Sequence, residues 1–80
     1  MSMYRLTQAG RELNYGYRRN ARLALDALGP TFTKDEALER LGTLQGLGQL
    51  GKGTPQSFWH RFAAQGAHAK KKAFIEMVVS

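Results

Sequence analysis

Cysteine is absent from this 80-residue chain. Disulfide staples, thiolate metal sites and a thiol nucleophile are excluded together, and nothing calls for an oxidising compartment. Acids are scarce, with six Asp and Glu against twelve Lys and Arg and a formal charge of +6. Asp26, Asp35, Glu36 and Glu39 fall at helix positions with capping or surface duties, which leaves little for a carboxylate pair. His60 and His68 are the only histidines, too few and too widely spaced for a metal site. Ser57 and His60 stand one helical turn apart without a third group to orient them. The expectation is a protein that is not an enzyme and holds no metal or cofactor. No run approaches the roughly 18 apolar residues of a membrane span, and no apolar leader opens the chain, so the expectation is a cytoplasmic protein without a membrane partner.

What is present is a foldable core. Apolar residues make up 42% of the chain, with four Phe, three Tyr and one Trp, enough for one compact domain over residues 1–80. A domain of this size removes only about 60% of its unfolded surface from water. The excess of cations draws the molecule toward polyanions over about 8–10 Å, so the placement of those cations matters more than their number.

The most informative stretch is Gly51-Lys52-Gly53-Thr54-Pro55-Gln56-Ser57-Phe58-Trp59-His60-Arg61-Phe62-Ala63-Ala64-Gln65-Gly66. It predicts a short helix over 54–65 with both ends encoded. Thr54 suits the N-cap, Pro55 the first helical position where an N–H would be unpaired anyway, and Gly66 the left-handed stop. At about 100° per residue, Phe58, Trp59, Phe62 and Ala63 share one stripe, and Gln56, Ser57, His60, Arg61 and Ala64 the other. Such a helix buries aromatics and displays hydrogen-bonding groups, and Trp59 is expected in the core.

Upstream, Met1 to Leu6 alternates like a short strand. From about Gln8 to Leu28 the pattern is helical, with Leu13, Tyr17, Ala21, Ala24 and Leu28 inward. Arg11, Tyr15, Arg18 and Arg22 lie outward with Arg19 beside them, and Gly16 fits either a bend or a close approach of another element. Gly29-Pro30 stops the helix. Like charges such as Arg18 and Arg22 one turn apart cost about 0.2–0.5 kcal/mol unless an anion offsets them. Thr33-Lys34-Asp35-Glu36 is a capping box opening a second helix, with Phe32 and Ala37 as a hydrophobic staple. Ala37, Leu38 and Leu41 face inward until Gly42 interrupts. Residues 42–53 are glycine-dense with Leu44, Leu47 and Leu50 between, and predict a packed turn or an irregular helix. After the basic run Lys70-Lys71-Lys72, Phe74 to Val79 is β-branched and alternating, and the terminal strands are expected to pair; a C-terminal helical extension is the alternative.

Short phosphate-loop patterns occur here and are weighed by context. Gly46-Leu47-Gly48-Gln49-Leu50-Gly51 fits G-x-G-x-x-G, but a helix precedes it and the chain is too short for a doubly wound sheet. Gly53 stands where a P-loop needs Ser or Thr. Gly48-Gln49-Leu50-Gly51 has the spacing of a KH-domain loop, an unspecific match. Glycine-rich backbone entering a helix at Thr54 beside Lys52 fits either an anion site or a tight turn.

These elements together resemble a helix-turn-helix or winged-helix-like DNA-binding domain. Leu50-Gly51-Lys52-Gly53-Thr54-Pro55-Gln56-Ser57 is similar to the turn of plasmid-borne KfrA-type helix-turn-helix proteins. The expected fold is mainly α (α+β), a three-helix core with paired terminal strands. The resemblance implies that Thr54, Gln56, Ser57, His60 and Arg61 face bases, while Lys52, Lys70, Lys71, Lys72, Arg11, Arg18, Arg19 and Arg22 contact phosphates of double-stranded DNA. A monomer or homodimer in transcription regulation fits this reading. The competing expectation is a small phage- or plasmid-type accessory protein that binds an acidic protein partner through Tyr15, Trp59 and Phe74.

Overall fold

The structure is a computed structural model and describes residues 1–64 and 72–80. Six elements follow in order: β1 (Met3–Leu6), α1 (Gln8–Arg11), α2 (Gly16–Asp26), α3 (Lys34–Gly46), α4 (Pro55–Ala63) and β2 (Ile75–Val79). The fold is mainly α with a small antiparallel sheet, and the terminal strands pair as the alternation of their side chains indicated. Arg5 lies opposite Glu76 and Leu6 opposite Ile75, with an irregularity between Met3 and Tyr4. Arg5 Nε donates to Glu76 Oε1 at 2.7 Å, an exposed pair worth at most about 1 kcal/mol. The other edge of β1 exchanges two backbone hydrogen bonds with Phe32 through Tyr4, so β1 lies between β2 and the α2–α3 connection.

The long first helix expected over 8–28 is two helices. Thr7 caps α1 by accepting from Gly10 N at 3.1 Å, and the chain then breaks at residues 12–15. Gly16 has φ +54°, a left-handed conformation that glycine adopts without the Cβ penalty. Arg22 Nε donates to the Leu13 carbonyl at 3.0 Å, which gives that carbonyl at the break a partner. The break rotates the inward stripe. Leu13 and Ala21 are buried as expected, Leu25 joins them, and Tyr17 is exposed. At the other end, Gly29 has φ +105° after α2, in the stop position its sequence indicated.

α3 does not stop at Gly42 but runs through it to Gly46. Gly42 there faces Pro55 of α4, and the connection shortens to residues 47–53. Leu50 is buried and Leu44 packs against the core, while Leu47 is exposed. The capping box of α3 forms in full. Thr33 Oγ1 accepts from Glu36 N at 3.1 Å, and Glu36 Oε1 accepts from Thr33 N at 2.9 Å. The Thr33 backbone bond first, and its hydroxyl second, hold the Glu36 carboxyl below the usual glutamate value. A folded-state pKa lowered in this way contributes stability that is present at neutral pH and lost as pH falls through the lowered value. Thermal melts of Glu36→Gln and wild type are therefore expected to differ at pH 7 in favour of wild type and to converge as pH falls below the lowered value; a gap that stays constant rules out the ionised cap.

One core joins the layers. Leu6, Leu13, Ala21, Leu25, Phe32, Ala37, Leu41, Leu50, Phe58, Trp59, Phe62 and Ile75 are buried together. Trp59 meets Tyr4 edge-on at 4.8 Å, and Phe62 meets Phe58 at 5.7 Å and Phe74 at 5.4 Å. Such aromatic pairs add about 0.5–1.5 kcal/mol beyond the area they bury. Lys34 lies 5.9 Å over the Trp59 ring, covering the indole with an aliphatic stem and a cation.

Candidate nucleic-acid interface

α4 presents the two faces its sequence encodes. Phe58, Trp59 and Phe62 are buried, whereas Gln56, His60 and Arg61 are exposed. The Gln56 amide nitrogen and His60 Nε2 lie 3.0 Å apart, a hydrogen bond across one turn. Thr54 and Ser57 are engaged otherwise. Thr54 Oγ1 accepts from Ser57 N, and Ser57 Oγ accepts from Thr54 N while donating to the Thr54 carbonyl at 2.9 Å. The Ser57 hydroxyl is thereby spent on the cap. Bases presented to this helix would meet Gln56, His60 and Arg61, with Thr54 and Ser57 holding the helix start.

The glycine-rich connection is a turn. Gly53 N donates to the Leu50 carbonyl at 3.2 Å and Gln45 Nε2 donates to the Gly53 carbonyl at 3.2 Å. With Thr54 N and Ser57 N also engaged and Pro55 lacking an N–H, few donors remain for an anion at that helix end. The turn is keyed to α2 instead. Asn20 Nδ2 donates to the Gln49 carbonyl at 3.0 Å, and a Cβ built on Gly51 would fall 2.6 Å from the Tyr17 ring. This contact brings Lys52, exposed between Gly51 and Gly53, beside the start of α2.

There the two cationic segments meet. A groove of about 300 Å³ is lined by Tyr15, Gly16, Tyr17, Arg18, Phe58, Arg61, Phe62 and Phe74. The Arg61 guanidinium lies 4.5 Å over the Phe58 ring and that of Arg18 5.5 Å from the Tyr15 ring. Arg61 Nε donates to the Ser57 carbonyl at 3.4 Å, and a guanidinium lying on a ring can still offer its terminal N–H groups to an anion. Among the described residues no acid lines the groove, and Arg5–Glu76 is the only ion pair, so Arg18 and Arg61 have no carboxylate partner among them.

The remaining cations are distributed differently. Arg19 is exposed on α2, and Arg22, half-buried, spends its Nε on the Leu13 carbonyl. Arg11 lines a separate depression with Leu6, Asp26, Gly29 and Pro30. Lys72 lines another with Thr7, Gln8, Ala9, Glu12 and Ala73. Lys70, Lys71, His68 and the expected helix stop Gly66 lie outside the described residues. Tyr17, expected inward, is 51% exposed and lines this groove, and Phe74, expected as an anchor for an acidic protein, forms one of its walls. The alternation Tyr15-Gly16-Tyr17-Arg18-Arg19 was the available signal, because aromatic residues interleaved with arginines mark surfaces that stack and neutralise at once.

No family model, curated protein or solved structure matches this chain. The functional reading therefore stands on the geometry above. Among the described residues no helix is long and apolar enough to cross a membrane.

Proposed function

We propose that this is a small nucleic-acid-binding protein, a binding module and not an enzyme, that acts in the cytoplasm on double-stranded DNA in a regulatory role. The observation that carries the reading is the meeting of Arg18 and Arg61 in a groove that no acid lines among the described residues, with Lys52 exposed on the turn before α4 and Gln56 and His60 exposed on α4. Phosphates meet the cations, and release of counterions supplies the sequence-independent part of the affinity. The polar side of α4 reads base edges, Gln56 suiting adenine and Arg61 guanine by paired hydrogen bonds.

Titration against duplex DNA at two salt concentrations tests this. Binding in the micromolar range or tighter is expected at low salt, with a steep loss as salt rises. Lys52→Ala should weaken all sequences alike and lower the salt slope by about one unit, whereas Arg61→Ala should cost about 1–3 kcal/mol at preferred sites and relax the preference. Absence of binding at low ionic strength would sink the proposal and leave an acidic protein as the partner to seek.

A further inference from the structure

We infer that the groove between the start of α2 and α4 holds one unpaired nucleotide, its base stacked on Tyr15 and its phosphate on Arg18, with Arg61 left to the paired segment. The preferred ligand is then a duplex carrying an unpaired base next to the paired segment. This rests on the DNA-binding reading and adds a subsite to it.

The lining makes the argument. Five of the eight residues around the groove are aromatic and two are arginines. Phe62 is sealed in the core, but Tyr15 is 59% and Tyr17 51% exposed. Tyr15 makes no capping hydrogen bond at the start of α2, and the Tyr17 ring lies against the turn at Gly51. An exposed ring with a guanidinium beside it is a surface on which a flat, electron-rich base can stack, because every base has a π-face and arginine adds a cation–π component. A space of about 300 Å³ is on the scale of a small-ligand pocket, and a paired duplex can touch it only through its backbone. Chemistry also discriminates between occupants. A carboxylate-rich peptide would satisfy Arg18 and Arg61 but leave the aromatic walls bare, and an apolar peptide would do the reverse. A nucleotide satisfies both with one molecule, since its anion and its ring are joined by a sugar.

The test compares a blunt DNA hairpin with the same hairpin bearing a short unpaired tail, at low salt. The tailed form is expected to bind about tenfold more tightly, in line with stacking of one base on an aromatic side chain. Tyr15→Phe should keep that advantage, and Tyr15→Ala should bring the ratio of tailed to blunt affinity to about one, whatever it does to the blunt hairpin itself. A 2-aminopurine placed in the tail should lose fluorescence on binding wild-type protein, a readout that does not depend on how any variant folds. Equal affinity for the two hairpins, unquenched 2-aminopurine, or an advantage that survives Tyr15→Ala in a folded variant overturns the subsite and leaves duplex binding standing. Failure of the protein to bind either hairpin overturns the DNA reading itself.

Discussion

Phe62→Ala is expected to leave little folded protein at physiological temperature. The side chain is 2% exposed and stands edge-on between Phe58 and Phe74. Its carbonyl accepts from Phe74 N at 2.6 Å, so the ring sits where α4 and the approach to β2 are joined. Truncating a buried phenylalanine costs about 3–5 kcal/mol when the surroundings cannot collapse into the space. At about 0.05–0.15 kcal/mol per residue, a chain of this length has a total stability of about 4–12 kcal/mol. The loss is therefore a large fraction of what is available. Urea denaturation followed by circular dichroism should show the midpoint displaced toward zero denaturant. A shift worth less than about 1 kcal/mol would mean that the ring is not the keystone its neighbours indicate.

Gly10→Ala is the second large effect, and its sign runs against helix propensity. In an open helix the change is favourable by up to about 1 kcal/mol. Here a Cβ on Gly10 would collide with the Phe74 carbonyl oxygen, 3.1 Å from the carbonyl carbon and 3.2 Å from Leu6 Cδ2. That carbonyl cannot move freely, because it accepts from Thr7 N at 3.0 Å while the Thr7 hydroxyl donates to the Ala73 carbonyl at 2.7 Å. Forcing a methyl into such a seam costs about 1–3 kcal/mol, and each kcal/mol lowers the melting temperature of a small domain by about 4–8 °C. Gly46→Ala, at the end of α3 with nothing within 4 Å of the new methyl, is the matched control and should be neutral or stabilising. If Gly10→Ala melts no lower than Gly46→Ala, the close approach of α1 to residue 74 is wrong.

The parts of this fold that could be read in advance are those set by neighbours in the chain. Thr33 and Glu36 form a capping box because the two side chains reach each other's N–H across one turn. Thr54 and Pro55 start α4, and the spacing of Phe58, Trp59 and Phe62 decides which side is buried. Pairing of the terminal strands was legible because an alternating apolar segment at one end had only one possible partner at the other. The break at residues 12–15 was legible only as one of two readings of Gly16, and its extent was not. Leu13, Tyr17 and Ala21 satisfy a helical period on paper, and what interrupts them is tertiary: Arg22 reaching back to the Leu13 carbonyl, and Gly10 pressed against residue 74. Continuation of α3 through Gly42 was missed because one interior glycine costs only about 1 kcal/mol, which burial of Ala37 and Leu41 against the rest of the core outweighs. For the candidate interface, the exposed side of α4 and the cation-rich start of α2 could be listed from the sequence. Their meeting in one groove, and the separation of Arg11 and Lys72 from it, depend on the turn at Gly51 resting on Tyr17.

The sheet carries a consequence for how the chain acquires its shape. Arg5 and Glu76 are 71 positions apart, yet β1 is the strand held on both sides, by Phe32 along one edge and β2 along the other. During synthesis, at about 5–20 residues per second, Tyr4 and Leu6 leave the ribosome seconds before Ile75 exists to cover them. The helices, whose contacts are nearer in sequence, have that interval in which to assemble, and closure of the strands comes last because its loop entropy is the largest. Any fragment that stops short of Ile75 therefore leaves one edge of β1 with unpaired N–H and C=O groups.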